Sequence, residues 1–400
     1  MSLIDRTLEY LQERRDKILN GGVNSIPSPF IRFSDEFIGV EQKKYYVVTG
    51  SQKSAKTQLA SYLFLYTPLM FAYNNPDKIR LKIFYYPLEE SPEDIMLRFM
   101  SFILNQLSKG KIRISPTDLQ SSKNTRPVSQ EVLEILKSEQ YKEILQFFED
   151  HVEFSTSRNP TGVWNEVKSY VESRGTVYTK KQKIKNEFGN TEIVDAFDYY
   201  VPDDPDEYVL VFFDHISLVK TERGMTLKQS ADKLSEYCVE LRNKYKVTSV
   251  MIQQQMAEME SLDAYKQNKL RPTAQGLADT KYTGRDCNVL LGIFSPYKHE
   301  LPNYKKYDIE KLEDNARFLE VILNRGGRAG GLVGLFFDGV TCNWAELPRY
   351  DDVSGLRKLY NFIDKLRENT SFCLLAISKF INRLYSKKEN HNFAEAEEVK

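Results

Sequence analysis

The chain has 400 residues, 41% of them hydrophobic and 12% aromatic, enough to build one large α/β domain or two ordinary ones around a real core. Its 56 basic and 56 acidic residues cancel, which excludes coating of nucleic acid through bulk charge but leaves room for a local basic surface. The four cysteines, Cys238, Cys287, Cys342 and Cys373, form no CxxC pair, so neither a zinc site nor a disulfide framework is suggested.

Residues 3–19 read as an amphipathic helix, with Ile4, Leu8, Leu11 and Ile18 near one face and Asn20-Gly21-Gly22 as its stop. A lone helix of that length is marginal in water, so it must pack on its own domain or on a neighbouring subunit. Short, nearly continuous apolar runs follow at 45–48, 83–86, 209–213, 248–252, 289–294 and 319–323, separated by helical stretches. Such runs are buried on both faces of a parallel sheet, and their alternation with helices predicts a three-layer α/β sandwich. Residues 331–338 and 340–344 read as an edge hairpin around Asp338-Gly339.

Two stretches interrupt the pattern. The polar segment 109–130 reads as a loop or partly disordered. Residues 175–206 alternate through Val177, Tyr178, Ile184, Phe188, Ile193, Val194 and Phe197 about a Gly189-Asn190 turn, which predicts an inserted β-hairpin and then an acidic linker. Two helical segments, 354–367 and 371–384, precede a charged tail. The expected organisation is a docking helix over 1–20, a main domain over 21–350 and a C-terminal extension over 351–400. No signal peptide opens the chain, and the apolar run 372–381 is broken by Lys379 and too short to span a bilayer, so a soluble, cytoplasmic protein is expected.

The sharpest motif is Gly50-Ser51-Gln52-Lys53-Ser54-Ala55-Lys56-Thr57, set between a strand and a helix. Such a loop turns successive amides inward, and the helix N-terminus adds positive potential, so it cradles phosphates. Lys56 is placed to reach the β- and γ-phosphates of ATP, and the Thr57 hydroxyl to ligate Mg²⁺. Ala55 stands where glycine is usual; a near-helical, negative φ there would carry little strain. A second element, Val209-Leu210-Val211-Phe212-Phe213-Asp214, ends an apolar strand in a carboxylate, which makes Asp214 the Mg²⁺ partner candidate.

Hydrolysis also needs a group that orients the attacking water. Glu89, just past the strand at 83–86, is the first choice, with Glu90 as runner-up; Glu90 can instead favour the helix start at Ser91-Pro92. His215 reads as a structural neighbour of the site. Gln253-Gln254-Gln255 puts amides at a strand tip, where one can sense the γ-phosphate. Asn324-Arg325-Gly326-Gly327-Arg328 projects guanidiniums from a flexible turn, and Arg325 is a candidate to act in trans on a neighbour's γ-phosphate; a basic hairpin turn or a phosphate-backbone contact is the alternative.

In order and spacing these motifs resemble the motor domain of the DnaB-like replicative helicases, phage versions included, from about Gly21 to Trp344. Gly21-Gly22-Val23-Asn24-Ser25-Ile26-Pro27-Ser28 is similar to that family's opening segment, Leu88-Glu89 to its Leu-Glu step, and Phe213-Asp214-His215-Ile216-Ser217-Leu218 to its metal-binding strand end. Gln254 falls at its sensor glutamine. Leu270-Arg271-Pro272-Thr273, Leu277-Ala278-Asp279 and Asp286-Cys287-Asn288-Val289 follow its later pattern, and Asn324-Arg325 its finger segment. The resemblance implies a RecA-like fold, ATP and Mg²⁺ as cofactors, a ring homo-oligomer, expected to be a hexamer, and single-stranded DNA in a central channel. Channel loops would carry Lys281, Arg285, Arg223 and Lys228, and other replication proteins would be partners. The departures are Ala55, Leu323 where the family often has lysine, and a single helix where it has an N-terminal helical domain. Two further readings stay open: a DNA-stimulated loading or switch ATPase, and a non-hydrolysing scaffold component.

Overall fold

A computed structural model describes residues 3–122, 127–185, 191–267 and 269–368, together with Ile377, Phe380 and Ile381. The apolar runs become one nine-stranded sheet: β1 (Tyr45–Gly50), β2 (Arg80–Pro87), β3 (Val152–Phe154), β4 (Glu207–Asp214), β5 (Thr248–Gln254), β6 (Val289–Phe294), β7 (Ala316–Asn324), β8 (Leu332–Asp338) and β9 (Asn343–Glu346). Across the sheet they run β9-β8-β7-β6-β1-β5-β4-β2-β3. The six strands from β6 to β3 are mutually parallel, and β7, β8 and β9 complete the sheet antiparallel.

Period-two alternation sends the strand side chains into two cores. Tyr46, Val48, Ile83, Tyr85, Leu210 and Phe212 face one layer, and Tyr45, Val47, Phe84, Tyr86, Val211 and Phe213 the other. Between Leu3–Leu19 (α1) and the first of these layers the chain enters through Ile26–Pro27, which pairs with Gly39–Val40. The first layer is Lys56–Ser61 (α2), continued through a π turn at Tyr62–Tyr66 into Thr67–Asn74, together with Pro92–Leu107 (α3). Pro160–Glu172 (α4) and Leu227–Tyr245 (α5) make the second layer. Val353–Glu368 (α6) packs Leu356, Leu359 and Ile363 against Phe318 and Phe336 at the antiparallel end.

Three readings of the sequence are corrected or extended. The run at 319–323, grouped with the parallel strands, lies antiparallel to β6 as part of β7. The connection from Phe294 to Ala316 holds no crossover helix, only short helical turns, a small ladder of Asn303–Tyr304 with Tyr307–Asp308 and the four-residue helix Ile309–Leu312, so the chain re-enters from the rim where β6 ended. The segment 109–130 contains the short helix Pro116–Leu119 and is tied down by Arg113, whose Nη2 and Nε reach the Asp338 carboxylate at 2.7 and 2.9 Å. Helices Gln130–Lys137 and Glu139–His151 and the edge strand β3 follow; three residues of strand leave too little periodicity to read.

The inserted hairpin is present as Gly175–Lys185 paired antiparallel with Thr191–Pro202, and its Gly189-Asn190 turn lies outside the described residues. The helical segment expected over 371–384 lies almost entirely outside them as well. Helix α1 has the expected bounds and ends where Gly21, at φ 78°, lets the Gly22 amide close on the Lys17 carbonyl at 2.8 Å. Among the described residues no helix is long and apolar enough to cross a membrane.

Candidate functional site

The phosphate-loop candidate leaves the end of β1, the fully buried strand at the sheet's centre. Gly50 is required there by space: a Cβ would stand 2.5 Å from Ser54 Oγ and 2.7 Å from Ile293 Cγ2. The loop folds on itself through Ser54 Oγ, which donates to the Ser51 carbonyl at 2.8 Å. Helix α2 then starts at Lys56 with no side-chain cap, leaving first-turn amides free to meet an anion. Ala55 does not have the near-helical, negative φ expected of it. It sits at φ 69°, ψ 28°, in the left-handed region, at a cost of about 1–2 kcal/mol for a residue with a Cβ. The loop needs a sharp turn before the helix, and that geometry overrides alanine's own preference.

Lys56 is 8% exposed and makes no hydrogen bond or ion pair among the described residues. Burial pushes its ammonium below its ordinary pKa, opposed by the charges of Asp214 and Glu89. A buried ammonium without a bonded partner is costly unless an anion joins it.

Asp214 comes to the same place through sheet register. β2 and β4 pair Tyr85 with Phe212, Tyr86 with Phe213 and Pro87 with Asp214. The first two pairs stack with ring centroids 4.7 and 5.0 Å apart, each worth about 0.5–1.5 kcal/mol beyond area burial. The register therefore levels the end of β2 with the end of β4, and the Leu88 amide donates to the Asp214 carbonyl at 3.1 Å. The Asp214 carboxylate is 2% exposed and accepts from Thr57 Oγ1 at 3.3 Å and from the Tyr85 hydroxyl at 3.4 Å. Burial, then the charges of Glu90 and Glu89, push its pKa up to about 7, against the Thr57 bond and Lys56.

The two candidate glutamates part company. Glu90 is bound by both terminal nitrogens of Arg98 on α3. Glu89 is half exposed, and its Oε2 lies 3.5 Å from His215 Nε2. The same His215 nitrogen stands 3.4 Å from Gln254 Nε2, so one buried imidazole joins the glutamate to the strand-tip amide. Burial pushes that imidazole below its ordinary pKa, which favours the neutral form.

The glutamine run resolves by strand alternation. Gln253 donates to the Ala278 and Thr280 carbonyls, and Gln255 donates to Thr49 Oγ1 at 2.9 Å and to the Thr273 carbonyl at 3.1 Å, so both are structural. Only Gln254 turns toward the loop side. Sequence reasoning missed Tyr85 and the linking place of His215. The histidine's adjacency to Asp214 was the available signal.

The remaining candidates lie apart from this cluster. Asn324 pairs with Val289, which pairs with Tyr46, so Arg325 stands beyond the amino-terminal end of β1, at least four residues or about 13 Å of strand from Gly50. It is exposed and folded onto its own chain, donating to the Cys287 carbonyl at 2.9 Å and to that of Arg285. Arg285 stacks over Tyr282 at 3.9 Å and pairs with Asp286 at 3.0 Å. Lys281 caps the carbonyls of Gln275 and Leu277. Arg223 and Lys228 are exposed where the chain enters α5. Cys238, Cys287 and Cys342 are buried free thiols.

A nucleoside triphosphate with Mg²⁺ suits the donor set. Among the described residues no group of three acidic, histidine or cysteine side chains could cage a metal alone. Thr57 and Asp214 offer two oxygens side by side, which matches an ion that completes its shell with phosphates and water.

The sheet order and its helical layers give the chain a RecA-like fold, shared with two solved structures. One solved structure of an ATPase domain superposes with a TM-score of 0.59 at 13% identity, over 87% of this chain and 100% of that one. A DnaB-like replicative helicase, solved for its interactions with primase, superposes with a TM-score of 0.57 at 13% identity, over 86% of this chain and 67% of that one. No protein-family model matches the sequence, and comparison with curated proteins finds no match.

Proposed function

We propose that this protein is an ATP-hydrolysing motor of the DnaB type, assembled as a ring and moving on single-stranded DNA. The observation that carries the reading is the convergence of Lys56, Thr57 and Asp214 at one rim of the sheet, with Glu89 beside them on His215. Lys56 would neutralise charge on the β- and γ-phosphate oxygens, with the free amides of the loop and of the first turn of α2 cradling them. Thr57 and Asp214 would hold Mg²⁺, which supplies charge neutralisation between the two phosphates. Glu89 would orient the water in line with the γ-phosphorus and accept its proton. His215 and Gln254 would register the γ-phosphate at the tip of β5.

Arg325 lies too far from its own loop to take part there, so in this reading it serves a second copy's γ-phosphate, as a ring with head-to-tail contacts provides. The apolar stripe of α1 has Ile4, Leu8, Leu11 and Ile18 between 53% and 71% exposed, and a neighbouring copy is the surface proposed to cover it. A DNA-stimulated switch without unwinding is the second reading. It is favoured by the engagement of Lys281 and Arg285 with their own chain rather than with open solvent. The test is steady-state ATPase with and without single-stranded DNA, alongside mass by light scattering with nucleotide. DNA-stimulated turnover by a ring that separates strands supports the motor. Stimulated turnover without strand separation selects the switch, and absence of turnover rejects both.

A further inference from the structure

The loop from Ser51 to Lys56 contains no glycine, yet Lys53 and Ala55 both stand in the left-handed region, at φ 60° and 69°. Two side chains in that region persist only where their surroundings hold them there. A loop that turns its amides inward toward phosphate must turn its carbonyls outward, and those carbonyls then need donors of their own.

The donors come from two elements far along the chain. Lys298, past the end of β6, gives its ammonium to the Gln52 carbonyl at 2.7 Å and is itself held by Glu260. Arg317 on β7 gives Nε to the Ser54 carbonyl at 3.2 Å. Its guanidinium is 3% exposed and fixed by the Asp314 carbonyl and carboxylate at 2.6 and 2.9 Å, with the Phe337 ring 5.6 Å away. Elsewhere in the loop the Ser51 carbonyl is met by Ser54 and the Gly50 carbonyl by the Gln255 amide at 3.1 Å. Both clamps are cations bonding to neutral carbonyls, bonds stronger than neutral pairs.

We infer that Lys298 and Arg317 are positioning residues for the phosphate loop, clamping its carbonyls outward so that its amides face the triphosphate. They take over a task that glycine at position 55 would ease. The inference rests on the nucleotide-binding reading above and extends it to two residues that lie outside every motif. Neither clamp is assigned a contact with the γ-phosphate, so both should act on binding more than on the chemical step.

The test measures the affinity of a fluorescent ATP analogue with Mg²⁺, together with KM and kcat for ATP. The proteins are the full chain and its Lys298→Met, Arg317→Met and Arg317→Lys variants, each with Ala55 and with Ala55→Gly, and thermal melts check folding. Lys298→Met and Arg317→Met should each weaken binding about tenfold or more and raise KM accordingly, with kcat changed less. Arg317→Lys should recover most of the loss. Ala55→Gly should rescue both Met variants, because a relaxed loop depends less on its clamps; a direct phosphate contact by Lys298 would resist that rescue. Should Arg317→Met fail to fold, Lys298→Met alone decides, since that side chain is partly exposed. Binding at full strength by Lys298→Met, or losses that Ala55→Gly leaves untouched, overturns the inference while the site reading stands. Failure of the unaltered chain to bind nucleotide overturns both.

Discussion

At the carboxyl-terminal rim of the sheet, Lys56, Asp214 and His215 are all buried, with strand register and bonds from β2, α2 and β5 holding Asp214 and His215 and the Asp214 charge acting on Lys56. At the amino-terminal rim the corresponding pieces are exposed. Arg325 rests on main-chain carbonyls, and the contacts of α1 with the body include Lys17 with Asp206, Arg6 over the Tyr199 ring at 4.9 Å and Asn24 to the Arg14 carbonyl at 2.9 Å. The first rim gathers buried charged side chains, and the second is an exposed surface. In the proposed ring the two halves of one catalytic site lie on these opposite rims, and only a neighbour can bring them together.

The comparison breaks most sharply at the glutamates. Glu89→Gln should lower kcat for ATP by about a hundredfold or more while leaving nucleotide affinity near normal, because it removes the base and keeps the cradle. Glu90→Gln should cost less than tenfold, since its carboxylate is engaged with Arg98, and steady-state kinetics on the two variants separate them. A result with the two reversed would move the base to Glu90.

At the other rim, Leu8→Asp with Leu11→Asp should abolish assembly, read by light scattering, and leave single-copy nucleotide binding within about twofold, since the stripe is exposed and remote from the pocket. Unchanged mass would remove α1 from the interface.

The smallest effect is on stability. The Asp214 pKa is raised to about 7 in the folded chain, so the native state binds a proton that the unfolded state releases at lower pH. That contribution is complete below the ordinary carboxylate range and is lost as pH rises through about 7. Without nucleotide or Mg²⁺, the melting temperature should fall across that window relative to Asp214→Asn, which has no such proton. Parallel curves for the two proteins would contradict the burial argument.

Much of this was legible in the residues. Continuous apolar runs gave five of the parallel strands, because strands buried on both faces leave no polar alternation to blur them. Gly50 to Thr57 and Asp214 stood out because phosphate and metal binding constrain residue type at a fixed spacing. Other features depend on contacts between distant parts of the chain. The φ of Ala55 follows from how the loop must meet α2, and alanine as a residue type carries no sign of it. The reversal of β7 depends on a missing crossover helix. Arg317 and Lys298 meet the loop only once β6 and β7 flank it, and a lone cation in an apolar run has no motif to announce it. The family resemblance singled out Gln254 from its two neighbours, whereas residue type alone could not, because it does not tell which face of β5 looks toward the loop.

The most direct measurement mixes two inactive proteins. Lys56→Ala lacks the phosphate lysine but keeps Arg325, and Arg325→Ala keeps the loop but lacks the finger, so each alone should show essentially no ATP turnover. Combined in equal amounts, they should regain about a quarter of the unaltered rate, because that fraction of neighbour contacts in a cyclic assembly pairs an intact loop with an intact arginine. A mixture that co-assembles and stays inactive, or an Arg325→Ala protein that turns over normally by itself, would contradict a site shared between two copies.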